Sequence, residues 1–146
     1  MTTFRAILFF CSIASLAQAQ VSPRIEARPV PATQPTSQPA SRYTDIDVDR
    51  FQELMKQPNT MVLDVRTPTE FAQGHIAGAV LIDVNSPDFA KKIAELDKNK
   101  TYLVHCRSGI RSTTACNTMA SLSFPHLYNM IGGITAWQGA GKPVEK

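Results

Sequence analysis

The chain has 146 residues, room for one domain and not two. Its net charge of +3 arises ahead of residue 43, where four arginines (Arg5, Arg24, Arg28 and Arg42) outweigh Glu26; from Tyr43 onward eleven basic residues face eleven acidic ones. That balance leaves no basic field of the kind that attracts nucleic acid, and about 100 residues suffice to bury a core without metal or disulfides.

The first 19 residues read as a secretory signal: Arg5 is the basic start, Ala6 to Ala14 the apolar run, and Ala17-Gln18-Ala19 a small-x-small cleavage site. The apolar run is too short for a transmembrane helix, which needs about 20 residues, so no stable membrane span is expected after cleavage. Cys11 leaves with the signal. Residues 20–42 hold five of the ten prolines and almost no large apolar side chains. Such a stretch cannot bury enough surface to offset its ordering entropy, and it is expected to be a disordered linker reaching at most roughly 70 Å. Export implies the periplasm in a double-membrane bacterium.

From residue 43 to 146 the pattern is that of a folded domain. Asp47 is placed to cap a helix carrying Phe51, Leu54 and Met55, which Pro58-Asn59 stops. Met61 to Val65 reads as a buried strand. Thr67-Pro68-Thr69-Glu70 is a capping box with proline at the first helical position, and Gly74 ends that helix. Ala79 to Ile82 is the next strand. Ser86-Pro87-Asp88 opens a helix with Phe89, Ile93 and Leu96 inward. Thr101 to Val104 is a strand, a helix from about Arg111 buries Ala115, Cys116, Met119 and Leu122, and His126 to Met130 is the last strand. Gly132-Gly133 suggests a tight turn and Trp137 packs the final helix. Short apolar strands alternating with helices predict an α/β domain with a parallel sheet covered on both faces.

In such sheets ligands bind beyond the carboxyl ends of the strands. Strand Thr101–Val104 runs into His105-Cys106, then Arg107-Ser108-Gly109-Ile110-Arg111-Ser112, then a helix. A cysteine there meets the unpaired amides of the helix start, loop amides able to wrap an anion, and the charges of Arg107 and Arg111. These favour a thiolate, and such settings bring a thiol from about 8.5 down to about 3.5–7.5. The same cradle suits a persulfide or an incoming oxyanion. Gly109 lets the loop turn at its tip.

The run Cys106 to Ser112 resembles the active-site loop of the rhodanese family. Leu63 to Ile82 is similar to that family's first signature and Asn129 to Trp137 to its C-terminal one, all in the family's order from about Tyr43 onward. The resemblance implies a rhodanese-like three-layer domain with a central five-stranded parallel sheet. It also implies a sulfurtransferase that needs neither metal nor organic cofactor. Cys106 would be the catalytic residue, taking sulfane sulfur from thiosulfate or a similar donor as a persulfide and passing it to cyanide or a thiol. Arg107, Ser108, Gly109, Ile110 and Arg111 would bind substrate.

Two other classes stand beside this reading. Cysteine phosphatases and arsenate reductases also use His-Cys, a loop and Arg, but with five intervening residues where this chain has four, and the smaller ring suits a sulfur atom better than a tetrahedral phosphate. A non-catalytic binding module is the other alternative, against which stands the presence of Cys106. Asp64 and Arg66 end a strand at the same edge and are expected to support the site, Asp64 bracing the loop and Arg66 pairing with Glu70. His75 is read as a hydrogen-bonded structural residue. His105 alternates to the far face of its strand and is not assigned as a base. Cys116 belongs to the core, and its helix carries it away from Cys106, against a disulfide. The histidines and cysteines lack the close spacing of a zinc site, so no metal is expected.

Overall fold

The structure, a computed structural model, describes residues 42–146. The expected signal at 1–19 and the linker at 20–42, apart from Arg42, lie outside the described residues. Five parallel strands form one sheet in the order β1-β5-β4-β2-β3: β1 Thr44–Ile46, β2 Thr60–Asp64, β3 Val80–Leu81, β4 Thr101–His105 and β5 Leu127–Met130. The connections are helical: α1 Val48–Met55, α2 Pro68–Gln73, α3 Phe89–Ala94, α4 Ile110–Ser121 and, after β5, α5 Gly133–Gly139. None of the helices among the described residues is long and apolar enough to cross a membrane.

The local signals act as chemistry dictates. The Asp47 carboxylate accepts the Arg50 amide at 2.8 Å, capping α1. Thr67 and Glu70 form the reciprocal capping box of α2, with Pro68 at the first position. Five boundaries differ from expectation. β2 is shifted back by one residue to Thr60–Asp64, β3 is two residues long, β4 continues to His105, β5 starts at Leu127, and α4 starts one residue before Arg111. β1 carries no apolar run to announce it, since of its three residues Ile46 alone is buried. It exists because β5 offers it an edge, pairing Thr44 with Tyr128 and Ile46 with Met130.

The period-two alternation of β4 builds both cores at once. Tyr102, Val104 and, beyond the strand, Cys106 face one side, packing with Phe89 and Ile93 of α3 and Ala115, Cys116 and Met119 of α4. Leu103 and His105 face the other side. There Leu103 joins Phe51 of α1, Ile134 and Trp137 of α5, and Ile76. Phe51 is wholly buried and meets the rings of Trp137 and His105 edge-on at 6.0 and 6.1 Å. A side chain of that size contributes about 1.5–3 kcal/mol through burial. β4 thus sits at the centre of the sheet with its carboxyl end framed by the ends of β2 and β5.

His105 lies where alternation predicts, fully buried. Its Nε2 has no hydrogen-bond partner among the described residues. It stands 3.7 Å from the Asp64 carboxylate, too far for a hydrogen bond. Burial holds its pKa below the ordinary 6.5, with the Asp64 charge opposing, so the ring is neutral in the fold. The unfolded chain gains a proton at this ring as pH falls below 6.5, which the folded chain resists. Stability carried by the neutral ring is full above pH 6.5 and declines below it. Urea midpoints measured at pH 7.5 and 5.5 should therefore show a loss of up to about 1 kcal/mol that His105→Gln lacks; equal losses in both proteins would exclude this origin.

Candidate active site

The loop begins where β4 ends and is finished by a helix remote in sequence. Gly132 and Gly133 turn the chain after β5 in the left-handed region, φ +74° and +56°. This brings the first turn of α5 against the loop backbone. The amide of Ile134 donates to the carbonyl of Cys106 at 2.8 Å, and that of Thr135 to the carbonyl of Arg107 at 3.1 Å. In a planar trans peptide the C=O and the following N–H point in opposite directions. Tying the Arg107 carbonyl outward to α5 therefore aims the Ser108 amide inward, toward the sulfur.

Cys106 Sγ accepts the Gly109 amide at 3.1 Å and lies 3.5 Å from the Ser112 hydroxyl. That hydroxyl is also 2.9 Å from the Gly109 carbonyl, and its one proton serves one acceptor at a time. Burial alone would raise the thiol's pKa; the Ser112 hydroxyl and the amides of Ser112, Ser108 and Gly109 outweigh it and bring the pKa below the ordinary value. Gly109 permits this ring: it caps α4 at φ +100°, and a Cβ there would meet the Gly132 amide nitrogen at 3.3 Å. Cys106 itself is only 1% exposed. Cys116 is fully buried and its thiol is pushed up to about 12 by burial first of all. Both cysteines are free.

The arginines divide the work differently from expectation. Arg111 grips Glu70 with two parallel hydrogen bonds, both 2.7 Å. The bond to Arg111 is the main cause holding the Glu70 carboxyl down at about 2. Arg66 does not pair with Glu70. It folds back on Asp64, with Nε at 2.9 Å from Oδ1 and Nη2 at 2.6 Å from Oδ2, while Nη2 also donates to the Gly74 carbonyl at 2.8 Å. Asp64, wholly buried, is the nearer carboxylate, and Glu70 is already taken by the helix cap and Arg111. Asp64 therefore orients Arg66 and makes no hydrogen bond to the cysteine loop. Arg107 is exposed and has no ion-pair partner among the described residues.

Two clefts flank the loop. One, of about 360 Å³, is lined by Arg66, Glu70, Gln73, Arg107, Thr135 and Gln138, together with Gly74 and Ile134. The other, of about 320 Å³, lies over Ser108, Gly109 and Ile110, with Asp45, Asn129 and Ile131. Ile110 is 75% exposed at its rim. The remaining histidines stand apart from the sulfur. His75 stacks on Phe71 at 3.8 Å between ring centres, with Nδ1 3.2 Å from the Phe71 carbonyl. His126 is exposed at the opposite, amino end of β5.

Three contributors leave little trace in the sequence. Ser112 ends the loop, and its spacing of three from Gly109 on a helix is the available signal for its inward turn. Glu70 reads as a cap, but its second partner is 41 positions away and leaves no local trace. Gly133 reads as a turn residue, whereas its lack of a side chain is what admits the loop.

A Cβ on Gly133 would collide with the Cys106 carbonyl oxygen and lie 2.6 Å from the Arg107 carbonyl. Gly133→Ala should cost about 2–4 kcal/mol, from left-handed strain plus overpacking. Gly78→Ala, at φ +72° with open space around it, should cost about 1–2 kcal/mol; similar chemical-denaturation losses for both would show that the close approach is unimportant. Glu70 gives a second outcome. Its depressed pKa adds stability that is full above pH 4.5 and lost as pH falls toward 2. Acid unfolding followed by circular dichroism should be less steep for Glu70→Gln across that window, and an unchanged profile would mean the clamp is idle.

A model of the rhodanese-like domain matches residues 47–140. A sulfurtransferase of Allochromatium vinosum is 32% identical over 93 residues, covering 64% of this chain and 85% of its own length. The thiosulfate sulfurtransferase GlpE of Shewanella oneidensis is 27% identical over 100 residues, covering 68% and 97%. Among solved structures, a rhodanese-related protein of Thermoplasma volcanium superposes with a TM-score of 0.63 at 32% identity, covering 70% of this chain and 98% of its own. A Rhodopseudomonas palustris protein of unknown function, described as a possible tyrosine phosphatase, superposes with a TM-score of 0.60 at 26% identity, covering 72% and 86%. With the family model spanning well over half of the sequence and the parallel five-stranded sheet in place, this chain belongs to the rhodanese-like domain family.

Proposed function

We propose that the protein moves sulfane sulfur from thiosulfate or a similar donor to cyanide or a thiol acceptor, through a persulfide on Cys106. Sulfur transfer as a class is the activity for which its relatives are named. The observation that carries the finer reading is the sulfur at the end of β4 accepting the Gly109 amide at 3.1 Å, with Ser108 and Ser112 amides favouring its anion. The Cys106 thiolate attacks the outer sulfur of thiosulfate, a Cys106 S–S bond forms, and the S–S bond of thiosulfate breaks with its electron pair leaving on sulfite. Arg107, without a carboxylate partner among the described residues, supports that developing charge. A nucleophilic acceptor then takes the outer sulfur and returns the electron pair to Cys106. No proton transfer to a base is needed while the sulfur stays anionic, consistent with His105 facing the other side of the sheet.

The near-complete cover of Cys106 sets a condition on this cycle. The donor reaches the thiolate only when part of that cover moves aside. Once loaded, the outer sulfur extends about 2 Å beyond Sγ. A phosphatase reading is less well supported: Arg111, the residue that would hold a phosphate, already has two bonds to Glu70. As part of the same proposal, a cleaved signal at residues 1–19 delivers the domain to the periplasm.

Thiosulfate treatment followed by mass spectrometry should find one added sulfur on Cys106, and thiosulfate–cyanide turnover should fall to background in Cys106→Ser but persist in Cys116→Ser. Turnover in Cys106→Ser, or phenyl-phosphate hydrolysis without sulfur loading, would overturn the proposal. Ser112→Ala removes one donor to the anion and should move the rate–pH midpoint upward, lowering the neutral-pH rate by about tenfold, the size of one charge-assisted hydrogen bond.

A further inference from the structure

The two clefts beside the loop are chemically unlike. The one over Ile110 and Ile131 carries the acidic Asp45 and no cation. The one over Arg66 and Arg107 is polar and holds two guanidiniums of different standing. Arg66 is 5% exposed and locked by Asp64 and the Gly74 carbonyl through Nε and Nη2. Its Nη1 has no hydrogen-bond partner among the described residues, so the locked group presents one unused donor nitrogen to the cleft it lines. Arg107, in contrast, is exposed and has no carboxylate partner among the described residues. Of the side chains that line the cleft, Arg66 and Arg107 are cationic and Glu70 is anionic, an excess of one positive charge. Gln73 and Gln138 add carboxamides and Thr135 a hydroxyl.

A cleft of about 360 Å³ falls in the range of about 300–1,000 Å³ that small organic ligands occupy, and thiosulfate needs far less. Its walls begin at Arg107, the neighbour of the loaded cysteine. An occupant whose anionic end lies on Arg66 and Arg107 can therefore carry a second group to the outer sulfur. We propose that this cleft is the acceptor subsite, and that it selects small thiols bearing a carboxylate a few bonds from the sulfur. The carboxylate is received by Nη1 of Arg66 and the guanidinium of Arg107. This rests on the persulfide reading above. The step is R–S⁻ attacking the outer sulfur of Cys106–S–S⁻. An R–S bond to that sulfur forms, the bond to Cys106 breaks, and the electron pair returns to Sγ, giving R–S–S⁻ and the thiolate. The acceptor's own proton has gone to solvent beforehand.

The test uses protein loaded with thiosulfate, freed of donor, and shown by mass to carry the added sulfur. It is then mixed with 3-mercaptopropionate, 2-mercaptoethanol or 2-aminoethanethiol, and loss of the added sulfur is timed. Dividing the carboxylate thiol's second-order rate by the neutral thiol's within each protein cancels effects on loading. The ratio should fall about tenfold from wild type in Arg107→Gln and in Gln138→Glu, which puts a negative charge in the cleft. The cationic thiol should gain in Gln138→Glu. A ratio unchanged in both variants, in protein that does carry the added sulfur, overturns the acceptor subsite and leaves the persulfide standing. Failure to load any sulfur on Cys106 in wild type overturns both.

Discussion

An anion held out of water must be surrounded by donors that are already in place, because burial by itself drives the group back to its neutral form. Cys106 is covered to within 1% of its surface, so everything that makes its sulfur chemically useful has to come from the loop amides and one hydroxyl. One of them, the Ser108 amide, points inward because the Arg107 carbonyl behind it is bound outward by Thr135, while Ile134 holds the Cys106 carbonyl one residue earlier. The sulfur's charge thus depends on a packing contact between backbones, and that contact depends on Gly133 having no side chain. Gly133, which makes no bond to the sulfur, thus bears on the orientation of an amide that faces it.

A second layer of ionic contacts holds the walls of the site. Glu70 belongs to a helix cap and to Arg111 at once, so the start of α2 and the start of α4 are tied through a single carboxylate. Asp64 and Arg66 do the same for the end of β2, anchoring the turn at Gly74. Both pairs are partly or wholly shielded from solvent, where removing one member leaves an uncompensated charge. They also explain why the arginines are not equivalent: two are committed to carboxylates, and Arg107 has no carboxylate partner among the described residues.

Features written locally were readable from residues alone. The caps at Asp47 and Thr67–Glu70, the buried run of β2 and the alternation that separates His105 from Cys106 are matters of neighbouring side chains, and each stands as expected. What failed to show were long-range choices. β1 has one buried residue and is a strand only because β5 needs a neighbour. Arg66 had two acids within sequence reach, and the winner was decided by which one the fold had already engaged. Ser112 and Gly133 carry ordinary letters whose meaning appears only when α4 and α5 are brought around the sulfur. The N-terminal 41 residues lie outside the described structure, so export and tethering stay part of the proposal.

The tie between Cys106 and α5 has a consequence for the chain as it leaves the ribosome. A domain folds as a unit, and the cysteine emerges well before the glycine pair that completes its setting. Until residues 133–135 are available, the Cys106 and Arg107 carbonyls lack the amides that hold them in the fold. The surroundings of the thiol are therefore complete only with the last helix, and a chain cut short before it would carry Cys106 without them.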